Sequence, residues 1–536
     1  MTIPINAGYW LLAVLPIAVL LFLMVKLKWG GYKAAPAALI ITAAVALTAY
    51  KADFHLVALE TAKGAWGSLN VLLVIWPAIM IYEITRQADV AGAFKSGVEK
   101  LTPNPLLQVL AVGWVFASFL QGITGFGVPV AVAAPLLCSM GVLPVWSVVI
   151  PLIGQAWGGT FGTLAVAWDA LAAQADLGNN PQLLERTVLY AAILIWVWNL
   201  FSGLAICWFY GRFKAVKKGF AAVAVISLIQ GGGQVLVGIY NQTIACFLPS
   251  CIALIAVILL GRTKMYKSQW SCETPILNRR ETETLKPESS KKQTIHDAFM
   301  PYYILTGITV AALLIKPLNN LLSSWKIWLS FPETQTGYGF VNPADTRFSP
   351  IAPLTHAGLF LLISAICGYI YYRRKNWIAK KGFIPILKRT AKKAVPSSLA
   401  VIMLMMTSKI MSGSGQTVVM AQGVSSVLGE VFILISPIIG TLGAFMTSST
   451  MASNILFGGF QMNTAQMLGI DTALLLAAQT AGASIGNAIA PGNVILGVTT
   501  AQIPSKEGEV LKRILPLAAA AGLLMGVLVF AGSRLI

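Results

Sequence analysis

The chain has 536 residues, 57% of them hydrophobic and only 11% charged, with a mean hydropathy of +0.76. These values exclude an ordinary soluble domain and point to an all-α polytopic membrane protein built on the ~20-residue apolar span. The net charge of +19 does not indicate a nucleic-acid partner, because the Lys and Arg residues flank apolar segments as topology signals do.

In chain order, apolar segments are predicted at about 9–25, 34–50, 69–85, 105–121, 127–142, 144–166, 188–210, 220–239, 241–260, 299–316, 352–372, 395–412, 426–446, 451–465, 473–499 and 513–532. The first has no basic stretch before it and no small-residue cleavage site, so it is read as a retained helix. Two long polar loops, 261–298 and 317–351, and a basic stretch, 373–393, interrupt the series. The loop 261–298 is rich in Glu, Lys, Ser and Thr and is read as a solvated linker.

Several segments are too short or too broken to be simple spans. Treating 105–121/127–142 and 426–446/451–465 as two re-entrant hairpins sorts the 38 Lys and Arg residues into 30 on one side and 7 on the other, with Lys409 inside a segment. The rich side is cytoplasmic by the positive-inside rule, which places the linker in the cytoplasm and both termini outside.

That arrangement enters the two hairpins from opposite sides and prompts a search for an internal repeat. A shift of 326 residues carries Glu83 to Lys409, Gly122 to Ser448 and Trp157 to Ala483. A matching kind of feature recurs at each landing point. The expected organisation is a first inverted repeat over 1–260, the linker 261–298 and a second repeat over 299–536. Broken helices at about 144–166 and 473–499 accompany the hairpins, in a scaffold with a separate transport domain.

Breaks lie at 122–127, 154–162, 447–454 and 484–493. Gly and Pro free backbone donors there, and such backbone survives at membrane depth only when buried in protein or lining a wet cavity. Helix N-termini would then supply unpaired N–H groups and a positive dipole end to a small anion. The candidate substrate-binding residues are Gln121, Gly122, Thr124, Gly125, Gly127, Gln155, Thr160, Ser448, Ser449, Thr450, Asn454 and Asn487. Thr163, Ser453, Gln479 and Asn493 are neighbours that could add donors. The competing reading is that small residues merely let helices pack closely. Four breaks at matched repeat positions favour a site.

Glu83 and Lys409 are the charges inside apolar segments and are candidates for ion coupling or as a substrate counter-ion. Burying an ion at the midplane costs about 2.5–3.5 kcal/mol on insertion scales, so Lys409 is expected to meet substrate, to pair with Glu83, or to snorkel to water. Asp169 and Glu185 read as outer-loop residues, and a solvated role is expected for each. The six cysteines form no CxxC pair, and neither a metal site nor another cofactor is indicated. Without a phosphate loop, a His-Glu-x-x-His pair or an intramembrane nucleophile and base, the chain does not read as an enzyme, and an ion gradient is the expected energy source.

The run Gly122-Ile123-Thr124-Gly125-Phe126-Gly127-Val128-Pro129-Val130-Ala131-Val132, the stretch Thr447–Phe460 followed by Gln461–Gln466, and Asn487-Ala488-Ile489-Ala490-Pro491 resemble signatures of the L-lactate permease family. The resemblance implies uptake of L-lactate, glycolate or related 2-hydroxy monocarboxylates in symport with protons across a bacterial-type inner membrane. It also implies kinship with ion-transporter folds that pair a scaffold with a mobile hairpin domain. Two departures stand out. Gln121 occupies a place where the commoner family form has Glu, and Gly154–Gly162 replaces an Asn-Thr-Ala-Pro-like segment. A carrier for another small organic or inorganic anion, coupled to sodium, therefore stays open beside the proton symporter. The partners implied are a small anionic substrate, protons or sodium and the lipid bilayer, and the oligomeric state, a homo-oligomer included, is left open.

Overall fold

The computed structural model describes residues 3–4, 6–27, 29–90, 93, 102–125, 127–267, 276–277, 293–379, 382–503 and 505–535. Most of the linker 261–298 and Phe126 of the Gly-Phe-Gly run lie outside the described residues. Among the described residues eleven helices are long and apolar enough to cross a membrane, or up to twelve if a bent pair counts as one span.

The chain opens with α1 (Ala7–Val25), α2 (Gly31–Thr48) and α3 (Phe54–Ala88). Asp53 caps α3, accepting from the Leu56 N–H at 2.7 Å, which offsets one orphan donor of the first turn. Next come α4 (Pro105–Ile123), α5 (Val128–Ser139), α6 (Pro144–Ala156) and α7 (Gly162–Gln174). α8 (Pro181–Tyr240) reverses at Gly211 and Arg212, whose dihedrals are not helical. Its two arms are tied by Trp196 to Ser227 and Asn199 to Gln230 hydrogen bonds. α9 (Phe247–Gly261), α10 (Ile295–Leu314) and α11 (Lys316–Ser323) follow.

The predicted polar loop 317–351 is corrected by the structure. Beyond α11 it folds into two small antiparallel pairs, β1 (Ile327–Phe331) with β4 (Asp345–Ile351) and β2 (Thr334–Gln335) with β3 (Val341–Asn342). Its alternating apolar residues are brief and flanked by Gly and Pro, and the β1/β4 register is shifted twice, so no period-2 run long enough to read as a strand exists.

The second half comprises α12 (Ala357–Arg374), α13 (Phe383–Gly413), α14 (Gln416–Leu428), α15 (Phe432–Thr447), α16 (Thr450–Leu468), α17 (Thr472–Ala488), α18 (Pro491–Thr500) and α19 (Glu507–Leu535). α14 was not expected, being short and rich in Gln, Gly and Ser. Helix limits recur at the 326-residue offset. Gly31–Thr48 maps onto Ala357–Arg374 end for end, and Pro181, where α8 begins, maps onto Glu507, where α19 begins. α3 through α7 match α13 and α15 through α18 to within six residues at each end.

α3 and α13 pack antiparallel. Gly64 lets the Met406 backbone approach so closely that a Cβ would lie 2.5 Å from its Cα. Trp76 Nε1 donates to Ser398 Oγ at 3.1 Å, and Glu83 meets Arg389 at 2.9 Å. Both hairpins are antiparallel helix pairs as well: Gly113 lies beside Leu137, and Ser453 Oγ donates to the Gly440 carbonyl at 2.9 Å. α17 sits innermost, with every residue from Ala473 to Ala488 buried. Gly482 and Gly486 make that possible, since a Cβ at either would strike the Pro437 or Thr441 carbonyl at 1.9 or 2.2 Å, the close small-residue packing of membrane helices.

Candidate functional site

Each repeat's hairpin reaches across to the broken helix of the other. Asn454 of α16 donates to the Ala167 carbonyl of α7 at 2.9 Å, and the Gly127 position at the start of α5 faces Asn493 and Leu496 of α18. All four breaks are thereby drawn to one place. A cavity of about 50 Å³ is lined by Gln121, by Gly159, Gly162, Thr163, Val166 and Ala167, by Ser448, Ser449, Thr450 and Met451, and by Asn487 and Asn493. That is room for a few waters.

The backbone around it is unusual. Thr163, Leu164 and Ala165 take φ of 51°, 50° and 69° in succession, Ser448 takes 55°, and Gly125 and Gly127 take 51° and 77°. Left-handed backbone costs a residue with a Cβ about 1–2 kcal/mol, and such strain collects where a site must hold its shape. Right-handed helix restarts at the cavity wall after these residues at Val166 and Ala167 of α7 and at Thr450 and Met451 of α16, and after the extended Ala490 in the first turn of α18, which holds Asn493. Three helix N-termini thus converge on one small volume, and their orphan N–H groups and dipoles favour an anion. No lining side chain is ionisable.

The expected site residues divide. Gln121, Ser448, Ser449, Thr450 and Asn487 line the cavity. Ser448 Oγ accepts from the Gly492 N–H at 3.0 Å, Ser449 caps α16 by accepting from the Ala452 N–H, and Asn487 Oδ1 accepts from Asn493 Nδ2 at 2.7 Å. Gly125 and Gly127 shape the turn behind it. Gly122 instead packs on Phe247, with a Cβ only 3.0 Å from its backbone, and Thr124 donates back to the Leu120 carbonyl. Thr160 lies in a layer beneath, at 2.8 Å from Thr480 Oγ1 and 2.9 Å from Ser484 Oγ. Asn454 donates to Thr480 Oγ1 as well as to Ala167, while its Oδ1 has no hydrogen-bond partner among the described residues. Gln155 is buried off the cavity with both amide atoms unpartnered among the described residues.

Beneath the hairpin tip, Ser436, Gln461, Gln479 and Ser453 form a continuous buried chain of hydrogen bonds. It fixes α15, α16 and α17 against one another, and buried polar networks of this kind rigidify when satisfied. Sequence reasoning did not find Val166, Ala167 and Met451 in the lining, since an apolar residue facing a cavity looks like any other apolar residue.

For the two charged candidates, the pairing is corrected. Lys409 does not pair with Glu83. Antiparallel packing sets it level with Glu60 and Lys63, roughly 30 Å along α3 from Glu83 at 1.5 Å per residue. Glu83, fully buried, is met by Lys393 at 2.7 Å, Arg389 at 2.9 Å and Arg86 at 3.2 Å. Lys409 Nζ donates to the Ala173 carbonyl at 2.9 Å and lies over the Phe348 ring. Neither lines the small cavity. Asp169 and Glu185 are also corrected: they lie within α7 and α8, not in a loop. Asp169 is exposed and has no ion pair among the described residues.

A second cavity of about 490 Å³ opens between α3 and α13 on one side and α5 and α18 on the other, with Tyr82, Lys392, Lys393 and Gly492 in its wall. At the α18 N-terminus Gly492 lines this cavity and the adjacent Asn493 lines the small one.

Among known proteins, the L-lactate permease of Salmonella typhi is 26% identical over 94% of this chain and 92% of its own length. The glycolate permease GlcA of Escherichia coli is 24% identical over 94% and 91%. The solved YdaH transporter of Alcanivorax borkumensis superposes with a TM-score of 0.45 at 15% identity, covering 89% of this chain and 87% of that one. The family profile described as L-lactate permease matches residues 9–536, and the chain belongs to that family.

Proposed function

We propose that the protein is a secondary active transporter importing a small 2-hydroxy monocarboxylate, L-lactate or glycolate, by proton symport with alternating access. The observation that carries the proposal is the small cavity in which residues from three of the breaks meet Gln121, the residue just before the other one. Its donors are neutral. A carboxylate would accept from first-turn N–H groups of α16, from the Asn493 N–H of α18 and from the Ser449 hydroxyl, while the Gln121 and Asn487 amides stand where a neighbouring hydroxyl needs a partner. Neutral donors suit reversible binding, because a fixed lysine would hold the anion too well for release. The chemistry ends at binding and release, with no bond made or broken.

The recurring helix limits support an inverted repeat narrower than expected, 31–210 against 357–535, with re-entrant hairpins at 105–139 and 432–468. In this reading the face carrying Arg86, Arg389 and Lys393 is cytoplasmic and both termini are outside. With no titratable group at the cavity wall, the proton needs another carrier. Asp169, three residues beyond Val166 on α7, is the group proposed for it. The same neutral lining favours keeping sodium coupling as the second reading, since broken-helix carbonyls suit that ion.

Purified protein in liposomes should take up labelled lactate or glycolate when an inward proton gradient is imposed. Asp169→Asn should lose the acceleration by the gradient and retain substrate counterflow. Uptake equal to that of empty liposomes for both acids would overturn the substrate, and a rate set by sodium and indifferent to pH would overturn proton symport.

A further inference from the structure

The helices flanking the scaffold pair α3/α13 touch it at two levels, and the 326-residue offset relates one level to the other. At the level nearer the strands, α13 is closed on α7. Ser408 Oγ donates to Gln174 Oε1 at 2.7 Å and lies 2.9 Å from the Ile455 carbonyl. Gln174 Nε2 lies 3.3 Å from Met405 Sδ, and Lys409 Nζ donates to the Ala173 carbonyl. All of these contacts join the scaffold to a hairpin arm or a broken helix.

At the other level the corresponding positions stand apart. The offset turns Met405 into Ile79, Ser408 into Tyr82 and Ala173 into Thr499, and these three residues all line the 490 Å³ cavity. Lys409 becomes Glu83, held to one side by Lys393 and Arg389, and Gln174 becomes Thr500 at the end of α18. Ile495 is left 52% exposed in the opening, an apolar surface that closure would bury. One structure therefore displays the same junction twice, once shut and once open.

We propose that these two junctions are the alternating closures of one path, and that Gln174 and Ser408 on one side and Tyr82 and Thr500 on the other are the residues that position the moving part in each state. The proposal rests on the carrier reading above. In the opposite state Tyr82 and Glu83 close on Thr499 and Thr500, the large cavity disappears, and Met405, Ser408 and Lys409 part from Ala173 and Gln174. The shut junction is made of hydrogen bonds and a sulfur contact and holds no ion pair, so it can part without stranding opposite charges. Closure on the other side buries apolar surface in exchange.

The test uses two double-cysteine variants of the full chain in native membranes, Gln174→Cys/Ser408→Cys and Tyr82→Cys/Thr500→Cys. A short bifunctional thiol reagent is applied and cross-linking is read on gels against the parent, whose six cysteines set the background. Both pairs should cross-link well above that background, each cross-link through a reducible reagent should stop uptake, and reduction should restore it. Ser408→Ala, added to the Tyr82/Thr500 pair, should raise its cross-linking several-fold by weakening the shut side. Cross-linking of the Gln174/Ser408 pair alone, or unchanged yield on adding Ser408→Ala, would overturn the proposal. The gel readout needs no substrate, so two cross-linking pairs in a protein that carries neither lactate nor glycolate would support the junctions and refute only the cargo.

Discussion

Replacing Gly125 with alanine should damage the site through a single added methyl group. Gly125 holds φ at +51°, and a Cβ there would lie 2.1 Å from Thr163 Oγ1. The left-handed backbone costs an alanine about 1–2 kcal/mol. The steric part adds about 1–3 kcal/mol, typical of overpacking, because Thr163 is β-branched and stiff and is itself fixed at φ 51°. The sum is about 2–5 kcal/mol. Thr163→Gly removes both the hydroxyl and a left-handed penalty, so the double variant should recover the steric share and show a coupling of about 1–3 kcal/mol in a double-mutant cycle. Thermal unfolding of the purified parent, both singles and the double gives the cycle, with initial uptake rates measured in parallel. If Gly125→Ala unfolds like the parent, or if the two changes add without coupling, the contact between the first and second breaks is not what holds the cavity.

Glu83→Gln removes the carboxylate on which Arg86, Arg389 and Lys393 converge; since those side chains are 48%, 32% and 42% exposed, the loss should fall at or below the ~3 kcal/mol lower bound for breaking a buried pair, seen as a lowered unfolding temperature that an unchanged melt would contradict. Ser448→Ala deletes the acceptor for the Gly492 N–H, a net effect of about 0.5–1.5 kcal/mol, and should raise the KM for the transported acid roughly two- to tenfold with the fold intact on gel filtration. Gly482→Ala would drive a Cβ to 1.9 Å from the Pro437 carbonyl and force α15 from α17; the purified variant should unfold at a markedly lower temperature, and a melt matching the parent would show that these helices can separate at little cost.

Membrane character, most of the spans and the four breaks were legible in the chain because each is a local signal: apolar length against bilayer thickness, and Gly, Pro and hydroxyl residues interrupting it. The 326-residue spacing was legible too, and the helix ends recur at it to within six residues. Less was legible where polar groups satisfy one another. α3 and α13 extend well beyond their predicted segments because Glu60 pairs with Lys63 at 2.6 Å and Glu83 gathers cations, so residues that look like loop are helix. Asp169 misled in another way: a charge taken as the mark of a loop lies exposed on α7, with no ion pair among the described residues.

The sequence by itself determined that this is a membrane-spanning chain whose apolar segments are broken at four places. Only the tertiary structure decided that the breaks meet in one cavity, that Gly122 packs on a neighbour while Gly125 shapes the wall, and that Lys409 lies about 30 Å along the scaffold from Glu83. The reason is physical. A break in a helix is written in dihedral preferences within a few residues, whereas the partner of a hairpin tip is chosen by packing between the two halves of the chain, between residues as far apart in sequence as Asn454 and Ala167.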